Sequence, residues 1–308
     1  MMNFITLLES PETDEFITSK RQRSQVWSRF LRKRGAWIGI LLLTAISLMA
    51  ILAPTITKGI DAYHTFIFQF GFHQVAPTFD NFPVGLFGYT SPPFSQSVFS
   101  QTVYGARVSL PLGFGAAFIA VILGVVIGAV SGFFGGLTET ILMRLTDIFL
   151  AAPFLPLVIG VSITMQQVRT PLYFTLLFGF LGWAEIARIV HAEVIVISNK
   201  EYIEAARSQG ISEFRILVRH ALPQTAPIII VWAALSVSSF ILAESTIDFL
   251  QIGITTTQTW GTIIFNGVPY ILANNWWWIT FPGLFIALTV IALNLIGESL
   301  RSSIDSGN

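Results

Sequence analysis

Glu244 and Asp248 interrupt one of the most apolar stretches of a 308-residue chain that is 53% hydrophobic and only 11% charged. Four residues apart on a helix, they would share a face. Ionisable groups in such a segment are costly to keep and often functional. Three roles are open: contacting the amino group of a solute in a pathway, hydrogen bonding to a neighbouring helix, or exposure at the membrane interface. Arg144 and Asp147, three apart in another apolar run, are expected to form an internal ion pair near the cytoplasmic face. The histidines His64, His73, His191 and His220 form no His-Glu-x-x-His pair, and Gly-x-Ser-x-Gly is absent, so a zinc or serine enzyme within the membrane is not expected. Cysteine is also absent, which excludes disulfides and thiolate metal sites. No metal or cofactor is expected.

A second group lies in a polar break between apolar runs, residues 198 to 223. Ser198 and Glu201 have capping-box spacing, so a helix can start there, and Gly210 suits a left-handed end to it. Ser212 can cap a second helix running toward Pro223. Ala205 and Ala206 would leave a low, flat face on the first helix, with Tyr202, Ile203 and Phe214 as apolar contacts. The pair could rest on the membrane surface, but its glycine hinge and moderate polarity suit docking to another protein.

These groups must be positioned by helices that cross a bilayer, each needing about 20 mostly apolar residues. Six runs qualify, near 36–56, 109–131, 141–165, 171–190, 224–247 and 278–297. Pro153, Pro156, Pro227 and Pro282 are expected as tolerated kinks. Lys20, Arg21, Arg23, Arg29, Arg32, Lys33 and Arg34 precede the first run, and Arg188, Lys200, Arg207, Arg215 and Arg219 fall between the fourth and fifth. With six spans both groups lie on one side, the cytoplasm, and both termini are inside. The basic block could alternatively hold anionic lipid or nucleic acid, but topology is the simpler reading. Lys plus Arg equals Asp plus Glu at 17 each, so no nucleic-acid partner is expected. The N-terminal segment lacks a secretory-signal pattern and is expected to be retained. Gly124, Gly128 and Gly132 fall on one helix face, a seam for close helix packing. The glycines at 132, 135 and 136 suit a tight turn, and Trp276, Trp277 and Trp278 are expected as interfacial anchors. The polar stretch 61–101 would be external, either contacting a partner or forming a plain loop.

The loop resembles that of the permeases of binding-protein-dependent ABC importers: Glu204-Ala205-Ala206, three residues, Gly210, then Leu222-Pro223. Tyr104-Gly-Ala-Arg-Val-Ser-Leu110, Met143-Arg-Leu-Thr-Asp147, Ile241-Leu-Ala-Glu244, Trp260-Gly261, Phe281-Pro-Gly283 and Asn294-Leu-Ile-Gly297 are similar to segments of the dipeptide, oligopeptide and nickel branch. The likeness covers residues 104 to 301. Departures occur at Ser95-Gln96-Ser97, His220, Asp248 and Gln251, and they bear on the external face and the solute carried.

The resemblance implies an all-α multi-pass membrane protein with about six transmembrane helices and a cytoplasmic two-helix coupling loop. It implies a second permease subunit, expected to be a different chain, two cytoplasmic ATPase subunits docked on these loops, and an external solute-binding protein. The ATPase must be another polypeptide, because this chain has no Gly-x-x-x-x-Gly-Lys-Ser/Thr loop. The expected organisation is a cytoplasmic segment 1–35, a first span 36–56, an external loop 57–103, a permease core 104–301 containing the loop 198–223, and a cytoplasmic tail 302–308. Peptides are the expected solute in the bacterial inner membrane, with nickel or another small solute as the alternative. A passive channel or an assembly scaffold is the rival class.

Overall fold

The computed structural model describes residues 26–57, 77, 97–165 and 168–305. Lys20, Arg21, Arg23, His64, His73 and most of the expected external loop and of the stretch 61–101 lie outside the described residues. The described residues are helical, without a β-strand. In chain order the helices are α1 (Arg34–Ile51), α2 (Val98–Phe134), α3 (Gly136–Ala151), α4 (Phe154–Thr164), α5 (Pro171–Leu181), α6 (Trp183–Ser198), α7 (Glu201–Ser208), α8 (Glu213–Ile216), α9 (Leu222–Phe249), α10 (Trp260–Gly267) and α11 (Trp277–Asp305).

Four stretches are each long and apolar enough to cross a membrane: Arg34–Ile51, Val98–Phe134, Glu213–Phe249 and Trp277–Ile304. A fifth crossing results if α3 and α4 count as one span bent by 80°. That bend falls where the sequence suggested only a kink. Proline disfavours the helical conformation in the residue before it, and Ala152 is accordingly extended at φ −86°, ψ 125°. The expected fourth span is likewise two helices, α5 and α6, meeting at Gly182. Pro227 and Pro282 stay inside continuous helices.

The fifth expected span is longer than its apolar core. A π-helical turn, Leu217–Ala221, joins α8 to α9, so the second loop helix is the root of the span. Pro223 has no N–H to offer the preceding turn, and the backbone widens just ahead of it.

α2 is the central element. At 37 residues it is about 55 Å long, and it packs against α5, α6 and α9, while α11 lies between α9 and α1. The glycine seam meets α6: a Cβ at Gly128 would stand 2.4 Å from the Ala187 carbonyl oxygen, and one at Gly132 2.6 Å from that of His191. Backbones this close require glycine. Phe30, Ala36, Val231 and Leu300 form a separate cluster binding α1 to α9 and α11. Large apolar side chains such as Phe118, Ile148 and Leu172 stand exposed at 67–68%, as suits a surface solvated by lipid.

Two side-chain expectations are corrected. Asp147 pairs with Arg188 on α6 rather than with Arg144, since the α3–α6 contact brings the guanidinium across. Of the three tryptophans only Trp276 is exposed. Trp277 and Trp278 are buried, and Trp278 stacks on Tyr270 with centroids 5.0 Å apart.

Candidate functional site

The loop begins without its expected cap. Ser198 donates its hydroxyl back to the Ile195 carbonyl at 2.9 Å, and Lys200 is the N-cap of α7, with no side-chain bond. The end of α7 follows the expectation closely. Gly210 is left-handed at φ +79°. Its N–H bonds to Arg207 O at 2.9 Å, and that of Ile211 to Ala206 O at 3.2 Å. This pair of bonds is the Schellman arrangement that satisfies the last carbonyls of a helix. Nothing lies within 4 Å of a Cβ placed at Gly210, so its requirement is conformational, not steric. Ser212 holds the N-cap position of α8 without a side-chain bond.

Arg207 joins the pieces. Its Nε donates to Glu213 at 3.1 Å, closing the elbow between α7 and α8. Its guanidinium also sits 5.4 Å from the ring centroid of Phe133, tying the elbow to the end of α2. Ile203 and Ala206 are buried, whereas Glu204 and Ala205 face outward. Only one of the two alanines therefore contributes to an external face. Glu204 forms no ion pair among the described residues. Phe214, 71% exposed, and Val218 stand out on the following turn, with Leu222 and Pro223 half-buried at the root of α9. The arrangement presents a free carboxylate and apolar side chains on an elbow held to α2.

The carboxylate pair sits elsewhere and is wholly inside the chain. Glu244 and Asp248 are both 0% exposed. Glu244 accepts from Ser109 of α2 at 3.0 Å and from Ser245 at 3.1 Å. Asp248 accepts from the Ile254 N–H at 2.6 Å and from the Thr259 hydroxyl. The segment after α9 turns sharply through Gln251, at φ +61°, and Arg169 donates to the Gln251 carbonyl at 3.1 Å. Thr259 then caps α10 with a reciprocal bond to Thr262. Buried carboxylates need such donors, and these ones bind α2, α9 and the 250–259 segment together.

A third cluster was not apparent from spacing. His191 Nδ1 lies 3.0 Å from the Ser131 hydroxyl and Nε2 3.3 Å from Glu139, across the turn at Gly135 and Gly136. A Ser-His-Glu order invites comparison with a hydrolase. Ser131 is fully buried, however, and also donates to the Gly128 carbonyl at 3.0 Å, so it is a tie between α2, α3 and α6 and not an accessible nucleophile. No signal along the chain marks it, because His191 and Ser131 are 60 positions apart.

Helices long and apolar enough to cross a membrane, an exposed elbow and a segment pinned by buried carboxylates characterise a multi-pass membrane protein. Residues 124–307 match the family described as "Binding-protein-dependent transport system inner membrane component", and residues 22–70 match the "N-terminal TM domain of oligopeptide transport permease C". The dipeptide transport system permease protein DppC of Bacillus subtilis is 34% identical over 280 residues, 91% of this chain and 84% of its own. The oligopeptide transport system permease protein OppC of Escherichia coli K12 is 32% identical over 278 residues, 90% and 88% respectively. An inward-facing structure of the MetNI methionine ABC transporter shares the fold, with a TM-score of 0.54 at 18% identity, covering 66% of this chain and 96% of that one. The chain belongs to the family of binding-protein-dependent transport system inner membrane components and is the permease subunit of an ABC importer.

Proposed function

We propose that this permease carries short peptides inward, paired with a second, different permease chain, driven by two cytoplasmic ATPases and supplied by an external solute-binding protein. The observation that carries the solute class is the extent of the likeness to dipeptide and oligopeptide permeases, nine-tenths of the chain, including the N-terminal segment. Peptide binding by the partner binding protein tests it: nanomolar-to-micromolar capture of di- to oligopeptides is expected. Tight binding of a nickel chelate with none of peptides would overturn it.

The elbow of α7 and α8 is the ATPase-docking element in this reading. Glu204 and Ala205 face outward, and Gly210 sets the angle between the helices. Leu222 and Pro223 pass motion into α9 through the π turn. Support comes from the continuity of α8 with a membrane span: a push on the elbow is a push on that span.

The topology proposed has six crossings, α1, α2, α3–α4, α5–α6, α9 and α11, with both termini and the elbow in the cytoplasm. Glu244 and Asp248, although possible pathway residues by type, act in this reading as the anchor of the external segment. Their hydrogen bonds inside the chain support that role.

A further inference from the structure

The bent α3–α4 pair and the α5–α6 pair, divided at Gly182, meet beside α9. Ala152 and Pro153 between α3 and α4, and Gly182 between α5 and α6, line a half-open cavity of about 360 Å³ to which α9 also contributes. That volume falls within the roughly 300–1,000 Å³ of small-ligand sites. Interrupted helices at membrane depth are tolerated where they line such a space.

Glu185 is the one ionisable residue on the lining. It lies midway along the α5–α6 pair, 14 residues after Pro171 (185 − 171) and 13 before Ser198 (198 − 185). Its side chain is exposed and makes no hydrogen bond or ion pair among the described residues. The cation nearest along its helix, Arg188, is engaged by Asp147. A carboxylate in the first turn of α6 gains modestly from the helix dipole, but that gain does not require it to open onto a cavity.

The rest of the lining is complementary to a cation. Phe149, Phe154, Trp232 and Phe240 supply aromatic surface, whose faces attract ammonium groups. The Ser236 hydroxyl donates to the Trp232 carbonyl at 2.8 Å and that of Ser239 to Leu235 at 3.3 Å. Their protons are thereby occupied and their lone pairs left to accept. An anionic group would be repelled by the carboxylate there, and an uncharged apolar solute would make no use of it.

We propose that this cavity receives a primary ammonium group of the solute, the free N-terminal amine of a short peptide, on the Glu185 carboxylate during passage. This rests on the peptide reading above. The test uses the whole transporter, reconstituted in proteoliposomes with its partner permease, ATPases and binding protein, and given radiolabelled trialanine. Glu185→Gln removes the charge at constant shape. Losing a charge-assisted hydrogen bond should lower trialanine uptake by about tenfold or more, while hydrolysis stimulated by loaded binding protein continues. Glu185→Asp should recover most of the uptake. Wild-type uptake in Glu185→Gln at matched membrane levels would overturn the proposal alone. Equal loss of uptake and hydrolysis in Gln and Asp variants would assign Glu185 a purely structural part and overturn it too. Failure of the wild-type transporter to move trialanine would instead overturn the peptide reading, and this one with it.

Discussion

Ser109 and Glu244 are 135 positions apart in the chain, yet the serine hydroxyl donates to the carboxylate at 3.0 Å. One helical turn further along α9, Asp248 accepts from the Ile254 N–H and the Thr259 hydroxyl. Trp260, 0% exposed, extends the same junction by donating its indole N–H to the Thr102 carbonyl at 2.9 Å. The carboxylates thus organise the segment between α9 and α10 around the start of α2.

Asp248→Ala would strand two buried donors. Leaving a buried donor without its acceptor costs about 1–3 kcal/mol, and the detergent-solubilised protein should lose its folded state at a lower temperature. Ser109→Ala removes the hydroxyl that donates to Glu244 and accepts from the Trp260 N–H at 3.5 Å, and should cost about 1–3 kcal/mol. Thermal unfolding indistinguishable from wild type in Asp248→Ala would show that the junction is not held by this carboxylate.

At the elbow, Gly210→Val forces a β-branched residue into a left-handed conformation, at a cost of about 1–3 kcal/mol. Uptake should be abolished while the permease still inserts and the ATPases co-purify poorly or hydrolyse ATP without transport. Ala205→Trp places bulk on the outward face and should do the same. Ala206→Trp acts differently, by overfilling the packing beneath α7, because Ala206 is buried. Gln209→Ala is a control expected to behave as wild type. Normal uptake and normal ATPase association in both Gly210→Val and Ala205→Trp would show that coupling runs elsewhere.

The glycine seam offers a steric test. A Cβ at Gly128 would meet the Ala187 carbonyl oxygen at 2.4 Å, whereas one at Gly160 would meet nothing within 4 Å. Gly128→Ala should therefore separate α2 from α6 and destabilise by about 1–3 kcal/mol, with Gly160→Ala neutral. Equal thermal stability of the two variants would count against close contact along the seam.

Because the chain has no cysteine, topology can be read by single labels. Cysteines at Ser24, Ser95, Ser212 and Asn274 should react with an impermeant reagent in intact cells only at Ser95 and Asn274. External labelling at Ser212 would overturn the six-crossing arrangement.

Much of this was legible in the residues because it depends on local chemistry. Apolar runs longer than a bilayer core announce helices in lipid, the spacing around Glu204 and Gly210 announces an elbow, and the absence of a side chain at Gly210 permits the turn seen at φ +79°. The glycines at four-residue intervals in α2 likewise marked a face before its partner was known. What remained hidden depends on which helix lies beside which. Arg144 was the obvious partner of Asp147 by spacing, but the packing of α3 on α6 supplies Arg188 instead. Tryptophans in a row look like interfacial anchors until a stacking Tyr270 draws one inside. Glu244 and Asp248 were readable as charged groups in an apolar helix, but only the fold could turn them toward Ser109, Ile254 and Thr259. Nothing local distinguishes Glu185, and the cavity beside it exists only where the α3–α4 and α5–α6 pairs meet α9. Hydrophobicity and backbone preference act over a few residues and can be read along the chain, whereas the partner of a buried polar group is chosen by distances that tertiary packing alone establishes.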